Sequence, residues 1–393
     1  MADIYVDLSL GTSGGAGTSG DPLNGDEFRT HFNATNATHG YSSGETRTYH
    51  LKGSKTYTSQ FTLPSGNDSD GFTIQKWAGN NPPKIICNLG SPLFNLSVQS
   101  GENAQTWNFK KIMSETIAGG GQVIKSLGSN ATVTLNIENS VFTRNISAGI
   151  GFVELECGGS FTNTGNIKGC DFTTYSSGVL GTVAISAHAS TNTSTSNIIV
   201  DSCYFECPNS TGHVFEARGT GFPGDGQTAD VTYKYCAFYN SNSLAGIGTI
   251  TQQGPSPMYL SVTDGGNNDD SRSTATSQKE DIRKALSSLS LPDDIMPNEG
   301  SAIIDAGNPS LGLTDDIMDT LRNPDIGSKE YEEAPVLCWN YTARYKNSNR
   351  LYRANGGGKY PSQLKVPGSV DASTGRMIDE GQLIDPSNYD IIQ

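Results

Sequence analysis

Short runs of alternating apolar and polar residues recur along the chain roughly every thirty residues. The clearest copies are LNIENSVF, GNIKGCDF, IIVDSCYF and VTYKYCAF, which end at Phe142, Phe172, Phe205 and Phe238 with spacings of 30, 33 and 33 residues. Two positions before each Phe lie Ser140, Cys170, Cys203 and Cys236. An earlier copy, WNFKKI, ends at Ile112, which we align with Phe142 because they are 30 residues apart. The repeat predicts a column of Phe and a column of small residues in register.

A second strand-like run follows about a dozen residues after each Phe. These runs are QVIKSL, GFVELEC, TVAISAH, HVFEARG and GIGTITQ, with Gly, Asn and Ser clusters between the strands. Strands this short are unstable alone but bury a common interior when they stack coil on coil. The pattern therefore predicts an all-β fold, a right-handed parallel β-helix (solenoid) with a C-terminal extension. An antiparallel sandwich is the alternative, although it requires no register of residue types.

The two ends of the chain carry different signals. Phe28 and Phe32 in NGDEFRTHF predict a short amphipathic helix that caps the open end of the stack. In SQKEDIRKALSSL, Ser277 and Glu280 form a capping box that predicts a second helix. We therefore divide the chain into an N-terminal lead-in and cap (1–43), the coils (44–270), a helix-containing closure (271–333) and an assembly extension (334–393).

Composition narrows the function classes. Hydrophobic residues make up only 34% of the chain, which suits the thin interior of a solenoid, and the formal net charge is −14. This charge disfavours nucleic acid as a partner. We expect no membrane insertion, because no apolar run is long enough to span a membrane. We expect no signal peptide, because the N-terminus lacks a basic stretch followed by an apolar one. Most of the seven cysteines fall in strand-like runs, so we interpret them, including the Cys203 and Cys207 pair, as buried thiols and expect neither a metal site nor a cofactor.

One charged constellation could support catalysis. Strand alternation places the polar residues of the second runs on the outside, as two neighbouring columns: Glu154, Ser186, Glu216 and Glu156, His188, Arg218. Glu154 and Glu216 would then lie about 9.6 Å apart, twice the interstrand distance, near the upper limit for the carboxylates of an inverting glycosidase. If the protein is an enzyme, its catalytic residues are Glu154, Glu156, His188, Glu216 and Arg218. The alternative is a solvated ladder of ion pairs or a subunit interface, and this interpretation is the stronger one.

The two ends of the repeat region resemble those of bacterial and bacteriophage right-handed β-helix proteins of the pectin-lyase-like class. The opening IYVDLSLGTSGGAGTSGDPLN resembles their N-terminal segment, and SAIIDAGNPS with DIMDTLRNPDIGSKEYE resembles their closing signature. The matching residues are Asp305, Gly307, Asp325, Ile326, Gly327 and Tyr331. The resemblance brackets residues 1 to about 333 and implies the fold and a homotrimer, of the kind found in phage surface proteins and tailspikes. The chain lacks the Asp cluster of polygalacturonases and the Asp, Arg and Lys set of pectate lyases.

The segment after the closing signature differs in charge from the rest of the chain. Residues 334–365 contain six Lys or Arg and no acidic residue, together with several Tyr. Such a segment is typical of a docking element, and its candidate anchors are Trp339, Tyr345, Arg350 and Tyr352. The alternative is a small terminal subdomain that packs on its own β-helix. We expect a virion structural protein, assembled in the host cytoplasm and displayed on the virion surface as a capsid decoration or a tail spike or fibre. Its expected partners are sister protomers, other virion proteins and host surface polysaccharide. The alternatives are a polysaccharide hydrolase or lyase of the tailspike type and a non-catalytic carbohydrate-binding adhesin.

Overall fold

The chain forms two compact units, Met1–Tyr331 and Glu332–Gln393. The computed structural model describes residues 2–64, 70–98, 103–118, 123–128, 131–144, 151–174, 184–191, 193–207, 214–219, 227–239, 249–253, 258–259, 307–317, 339–345, 351–356, 364–365, 383–384 and 389–392. The unit boundary falls close to residue 334, where the sequence predicts the extension to begin. The two units are described separately below.

Three parallel sheets build the first unit. Sheet A has ten strands, in the spatial order β2 (Leu23–Asn24), β1 (Ala2–Asp7), β3 (Arg47–Lys52), β6 (Gly71–Lys76), β9 (Gln105–Lys110), β12 (Val133–Glu138), β15 (Thr162–Lys168), β18 (Thr195–Asp201), β21 (Thr228–Lys234) and β23 (Thr249–Gln252). Sheet B has eight strands, β24 (Met258–Tyr259), β22 (Ala237–Tyr239), β19 (Tyr204–Glu206), β16 (Asp171–Thr174), β13 (Val141–Arg144), β10 (Met113–Ala118), β7 (Lys84–Asn88) and β4 (Ser54–Tyr57). Sheet C has six strands, β20 (Phe215–Gly219), β17 (Ile185–Ala189), β14 (Val153–Cys157), β11 (Ile124–Gly128), β8 (Phe94–Ser97) and β5 (Phe61–Thr62).

Each complete coil contributes one strand to each sheet, and the strands of neighbouring coils pair in parallel within each sheet. This arrangement is a parallel β-helix. The predicted all-β solenoid is confirmed, and the antiparallel sandwich is excluded. Parallel in-register stacking explains the repeat, because a residue type that fits one coil meets the same position of the next coil at the interstrand distance.

A short helix covers the N-terminal end of the interior. Helix α1 (Gly25–Phe32) begins at Asn24, whose side chain accepts from the backbone N–H groups of Asp26 and Glu27. The Glu27 carboxylate accepts the Asn24 N–H in return and completes a capping box. Phe28 and Phe32 are fully buried, as predicted, and their rings pack against the aromatic side chains of the first coils. A 3₁₀ turn, Ala37–His39, follows the helix.

The predicted Phe column is confirmed. Phe142 pairs with Phe172, Phe172 with Phe205 and Phe205 with Phe238, and all four rings are fully buried. Successive ring centroids are 5.2, 5.0 and 5.2 Å apart, and the ring planes lie within 12° of parallel. The stack therefore fills the interior with offset aromatic contacts that follow the coil spacing.

The column of small residues has a second role in the turns. Ser140 Oγ donates to the carbonyl oxygen of Glu138 at 2.9 Å. The thiols of Cys170, Cys203 and Cys236 make the equivalent contact with the carbonyl two residues earlier, at 3.2 to 3.3 Å. In the part of the chain that the structure describes, all cysteines are buried free thiols: Cys87, Cys157, Cys170, Cys203, Cys207 and Cys236. These positions therefore favour a small side chain with a hydrogen-bond donor, because it fits the interior and also donates to a carbonyl of the turn.

The structure corrects how the repeat is divided into strands. Each run that ends in Phe is two strands of two different sheets, joined at a corner by a residue with positive φ, and the earlier run WNFKKI contains the same kind of corner. These corner residues are Lys111 (φ 54°), Asn139 (48°), Gly169 (61°), Ser202 (53°) and Tyr235 (52°). At the first four, the corner N–H donates to a carbonyl of the following coil. The left-handed conformation turns the chain from sheet A into sheet B without breaking the hydrogen bonding between coils.

Two of the predicted alignments are wrong. Ser114, not Ile112, pairs with Phe142, because the coil between them is two residues shorter than the spacing that we assumed. Ile112 instead lies beside Ser140, whose hydroxyl accepts its N–H. The run GIGTITQ belongs to β23 of sheet A and pairs with β21, so it is not part of the second strand column.

The outer face of sheet A carries two side-chain ladders. Asn166 Nδ2 donates to Asn136 Oδ1, and Asn136 Nδ2 donates to Asn108 Oδ1, each at 2.9 Å. The next column alternates in charge, in the order Lys110, Glu138, Lys168, Asp201 and Lys234. Sheet B differs, because strands β13, β16 and β19 are buried on both faces.

Residues 307–317, which we call the strap, run along the corner between sheets A and B. Asn308 Nδ2 donates to Asp201 Oδ2 at 2.7 Å, and Asn139 Nδ2 donates to the Asp315 carbonyl at 2.8 Å. Lys111 pairs with the Asp315 carboxylate at 2.8 Å. Gly307 of the predicted closing signature begins the strap. The helix predicted at SQKEDIRKALSSL and the signature residues Asp305, Asp325, Ile326, Gly327 and Tyr331 lie outside the described residues.

The second unit is described only by its strands. Strands β25 (Trp339–Tyr345), β26 (Leu351–Gly356) and β29 (Tyr389–Ile392) form an antiparallel sheet with β25 in the centre. Strands β27 (Leu364–Lys365) and β28 (Leu383–Ile384) form a separate antiparallel pair. The extension therefore has its own antiparallel pairing, distinct from the parallel coils of the first unit.

Candidate functional site

Sheet C places the predicted charged residues on its outer face. Glu154 pairs with Ser186, and Ser186 pairs with Glu216, while Glu156, His188 and Arg218 form the neighbouring column in the same way. Along strand β14, Val153, Leu155 and Cys157 are buried while the two glutamates between them are half-buried. The apolar residues of β14 hold the strand against the interior and thereby aim both carboxylates outward.

Lys125 is a member of this site that the sequence analysis missed. It pairs with Glu154 in the next coil, and its Nζ lies 3.2 Å from Glu154 Oε1 and 3.3 Å from Glu156 Oε2. Burial disfavours the charged ammonium, but the two carboxylates outweigh that effect and raise the pKa of Lys125. The run QVIKSL contained the signal, because alternation puts its Lys outward in the column of Glu154.

The imidazole of His188 closes one side of the cluster. His188 Nδ1 lies 3.9 Å from Glu156 Oε1, and its Nε2 is buried without a hydrogen-bond partner. One ligand atom each from Glu154, Glu156 and His188 lies within 4.8 Å of the other two. Carboxylate oxygen and imidazole nitrogen are suitable ligands for zinc or manganese. The Lys125 ammonium nevertheless already supplies the positive charge between the two carboxylates, so the donor set is balanced without a metal ion.

Glu216 and Arg218 form a separate pair. Arg218 Nε donates to Glu216 Oε1 at 2.8 Å, and Nη2 donates to the same oxygen. Glu216 is almost fully buried, whereas the Arg218 side chain is 53% exposed. The contact ties the Glu216 carboxylate to its own strand. The carboxylates that the structure brings together are therefore those of Glu154 and Glu156, which flank one residue of β14.

A concave feature lies at the corner between sheets A and B. A cleft of about 540 Å³ is bounded by the ends of β6, β9 and β12 and by strap residues 312–315. Lys110 pairs with Glu138 at 2.9 Å, and Lys111 pairs with Asp315 at 2.8 Å. Lys110 and Lys111 are thus held by carboxylates of the next coil and of the strap.

The candidate assembly residues lie in the second unit. Trp339 and Tyr345 are the first and last residues of β25, and Tyr352 of β26 pairs with Ala343. Arg350 lies outside the described residues. These backbone positions place Trp339, Tyr345 and Tyr352 on the two adjoining strands of one antiparallel sheet.

Among the residues that the structure describes, no helix is both long and apolar enough to cross a membrane. Comparisons of the chain with protein-family models, with curated proteins and with solved structures found no match. The fold and the geometry of the sites described above are therefore the basis for assigning a function.

Proposed function

We propose that this protein is a structural protein of a bacteriophage virion, either a capsid decoration or a tail-associated spike or fibre. In that role it stabilises the particle, binds host surface glycans, or does both. The observation that carries the proposal is the pairing of outward charges on the sheets of the solenoid. Lys125 with Glu154 and Glu156, Arg218 with Glu216, and Lys110 with Glu138 neutralise one another across or along the strands. Such ladders stiffen a surface and leave few charges free for chemistry.

The interior thiols support assembly in a reducing compartment. Burial raises the pKa of Cys207 to about 12, and it also raises the pKa of Cys170 and Cys203 far above the ordinary thiol value. Buried, protonated thiols are inert and are common in proteins that fold in the cytoplasm. A phage structural protein folds in the host cytoplasm and reaches the outside only when the host lyses.

The second unit supports attachment. Its first strands lie in the basic, Tyr-rich stretch of an otherwise acidic chain, which suits contact with an acidic neighbouring surface. We propose that this unit contacts sister protomers in a homotrimer or an underlying capsid or tail protein. The trimer and the phage setting rest on the resemblance of the opening and closing segments to β-helix proteins of phage surfaces.

A polysaccharide-degrading enzyme is the second candidate function. The observation that favours it is the convergence of Glu154, Glu156 and His188 within 4.8 Å of one another on an outer face. Two carboxylates at a separation of about 5 Å are typical of retaining glycosidases. Lys125 opposes this function, because it holds both carboxylates in ion pairs.

One experiment separates these functions. Quantitative mass spectrometry of purified phage particles that carry this gene should detect the protein, at hundreds of copies for a capsid decoration or about a dozen for a tail component. The purified protein should release no reducing ends from host capsule or lipopolysaccharide. Glycan binding without cleavage would identify an adhesin. Cleavage that is lost in Glu154→Gln and Glu156→Gln but kept in Glu138→Gln, a matched paired carboxylate on sheet A, would establish the enzyme instead. Absence from washed particles would refute the structural role.

A further inference from the structure

A charged side chain is buried beneath the N-terminal cap, which comprises α1 and the 3₁₀ turn that follows it. Arg47, at the start of β3, is fully buried. Its Nη1 donates to the carbonyl oxygens of His31 at 3.2 Å and Ala34 at 3.0 Å. Among the residues that the structure describes, no carboxylate forms an ion pair with Arg47. The cap therefore closes over a positive charge that is solvated by backbone carbonyls and by the neighbouring Tyr49 hydroxyl.

Two histidines stack beside this charge. The ring centroids of His31 in α1 and His39 in the 3₁₀ turn are 3.6 Å apart, and the ring planes differ by 12°. His31 Nδ1 contacts the Tyr49 hydroxyl at 3.1 Å, and its Nε2 contacts the Tyr41 hydroxyl at 3.2 Å. His39 Nε2 lies 3.1 Å from the His31 carbonyl oxygen, which also accepts from Arg47. A neutral His31 satisfies both contacts, because one hydroxyl donates and the other accepts.

The surroundings disfavour a proton on either ring. Burial, followed by the proximity of His39 and Arg47, lowers the pKa of His31 from 6.5 to about 3. Burial also lowers the pKa of His39, and Arg47 adds to the effect, although the contact with the His31 carbonyl opposes it. Tyr41 and Tyr49 face the pair as hydroxyls whose pKa burial raises, so they stay neutral. Glu45, on the loop before β3, accepts the Ser42 N–H with one carboxylate oxygen at 3.2 Å.

The same segment attaches the cap to the edge strands of the solenoid. The Tyr57 hydroxyl of β4 donates to the Gly25 carbonyl at 2.8 Å, and Asn33 accepts the Thr62 N–H of β5 at 3.0 Å. Strands β4 and β5 are the terminal strands of sheets B and C. If the cap leaves, it uncovers two strand edges together with the Phe61 ring, which packs against both aromatic residues of α1.

We propose that Arg47, His31 and His39 form an acid-sensitive latch, which keeps the cap closed while both histidines are neutral and releases it when either one is protonated. Protonation would place a second positive charge beside the buried Arg47 and the neighbouring imidazole, in a cluster whose two histidines are themselves partly buried. Because both histidines have a lower pKa in the closed state, the latch is at full strength above about pH 6.5. It weakens as the pH falls below that value, by up to about tenfold per pH unit for each histidine. This inference does not depend on the proposed virion role.

Hydrogen exchange by mass spectrometry on the full-length protein tests the latch. Between pH 7 and pH 5, after correction for the intrinsic exchange rate, protection of residues 25–50 should fall about tenfold or more. Protection of strands β12, β15 and β18 should stay constant, and binding of a hydrophobic dye should rise with the opening. His39→Gln keeps a donor toward the His31 carbonyl and should reduce the change in protection. His50→Gln is the matched control, because His50 is a half-buried histidine on β3, the strand that contains Arg47. The His50 ring stacks on Tyr5 at a centroid distance of 4.7 Å, and its Nε2 lies 3.0 Å from the Asp3 carboxylate.

A second measurement uses only the wild-type protein and therefore tests the latch even if a histidine variant fails to fold. Nuclear magnetic resonance of histidine-labelled wild-type protein should find the imidazole assigned to His31 still neutral at pH 5. The imidazole assigned to His39 should titrate below its ordinary value. Unchanged protection of residues 25–50 in the wild type would overturn the proposal. So would ordinary titration of His31 and His39 near pH 6.5, or loss of the response in His50→Gln alone.

Discussion

Replacing Phe205 by Ala is the sharpest test of the interior. Phe205 is fully buried, and its ring stacks between Phe172 and Phe238 at centroid distances of 5.0 and 5.2 Å. A third ring, Phe215 of sheet C, meets it edge-on at 5.2 Å. Hydrogen-bonded strands on either side hold the coils at their spacing, so the walls cannot close around the vacated volume.

The expected loss of unfolding free energy in Phe205→Ala is the sum of two contributions. Losing the buried apolar surface of the ring costs about 2 kcal/mol, and a cavity of roughly 80–100 Å³ adds about 2 kcal/mol at some 24 cal/mol per Å³. We therefore expect Phe205→Ala to lower the free energy of unfolding by about 4 kcal/mol, within the range of about 3–5 kcal/mol that is usual for a buried Phe. Phe205→Leu keeps most of the buried surface and should cost less than half as much.

Urea unfolding followed by far-ultraviolet circular dichroism measures this loss as a shift of the midpoint at constant slope. Thr134→Ala, on the outer face of sheet A, is the control and should change stability by no more than about 0.5 kcal/mol. Hydrogen exchange should place the weakening of Phe205→Ala in the coils that contain β16, β19 and β22. A loss below about 1.5 kcal/mol for the Ala variant, or equal losses for Ala and Leu, would refute the argument that the coil spacing keeps the cavity open.

Three further perturbations probe other parts of the molecule. Asn136→Ala removes the central member of the asparagine ladder and both of its 2.9 Å hydrogen bonds, and it should lower the unfolding free energy by about 1–2 kcal/mol in urea titrations. Lys125→Met leaves two neighbouring carboxylates without their shared cation and should lower stability by about 1 kcal/mol, whereas Lys110→Met, which breaks a single exposed pair, should cost less. A chain that ends at Glu333 should keep the circular dichroism of the solenoid but lose trimerisation or particle attachment in sizing and co-sedimentation. Wild-type behaviour of that shortened chain would exclude a role of the second unit in assembly.

The fold and the two outward columns of sheet C could be predicted because stacking repeats residue types at fixed positions. Phe142, Phe172 and Phe205 share a register that an antiparallel sandwich does not impose, and this register identified the solenoid. The positions of the corners between sheets A and B could not be predicted. Residues such as Lys111 and Tyr235 adopt positive φ there, although their side chains do not favour that conformation. For the same reason, runs that belong to two sheets resembled single strands.

The candidate site was predicted less completely than the fold. Alternation correctly placed Glu154 and Glu156 on the outer face, but the predicted partnership of Glu154 with Glu216 depended only on the coil spacing. Such contacts depend on the length and conformation of the side chains. The Glu216 carboxylate contacts Arg218, and the Glu154 and Glu156 carboxylates both contact Lys125. Nothing in the pattern of apolar positions encodes that choice. The pairing of His31 with His39 was equally invisible, because it depends on how the chain turns after α1.

The strap has a mechanical consequence for the rod that the coils build. Each coil of a solenoid contacts only its neighbours, so tension along the axis passes in series from one coil to the next. The strap joins partners far apart in the chain, 107 residues for Asn308 with Asp201 and 176 residues for Asn139 with Asp315. The strap therefore forms a second connection between the coils from β9 to β18, and it carries part of any tension along the axis. Under a pulling force, these coils should yield together in one large step when the strap contacts break, while coils without the strap peel away one at a time in small steps.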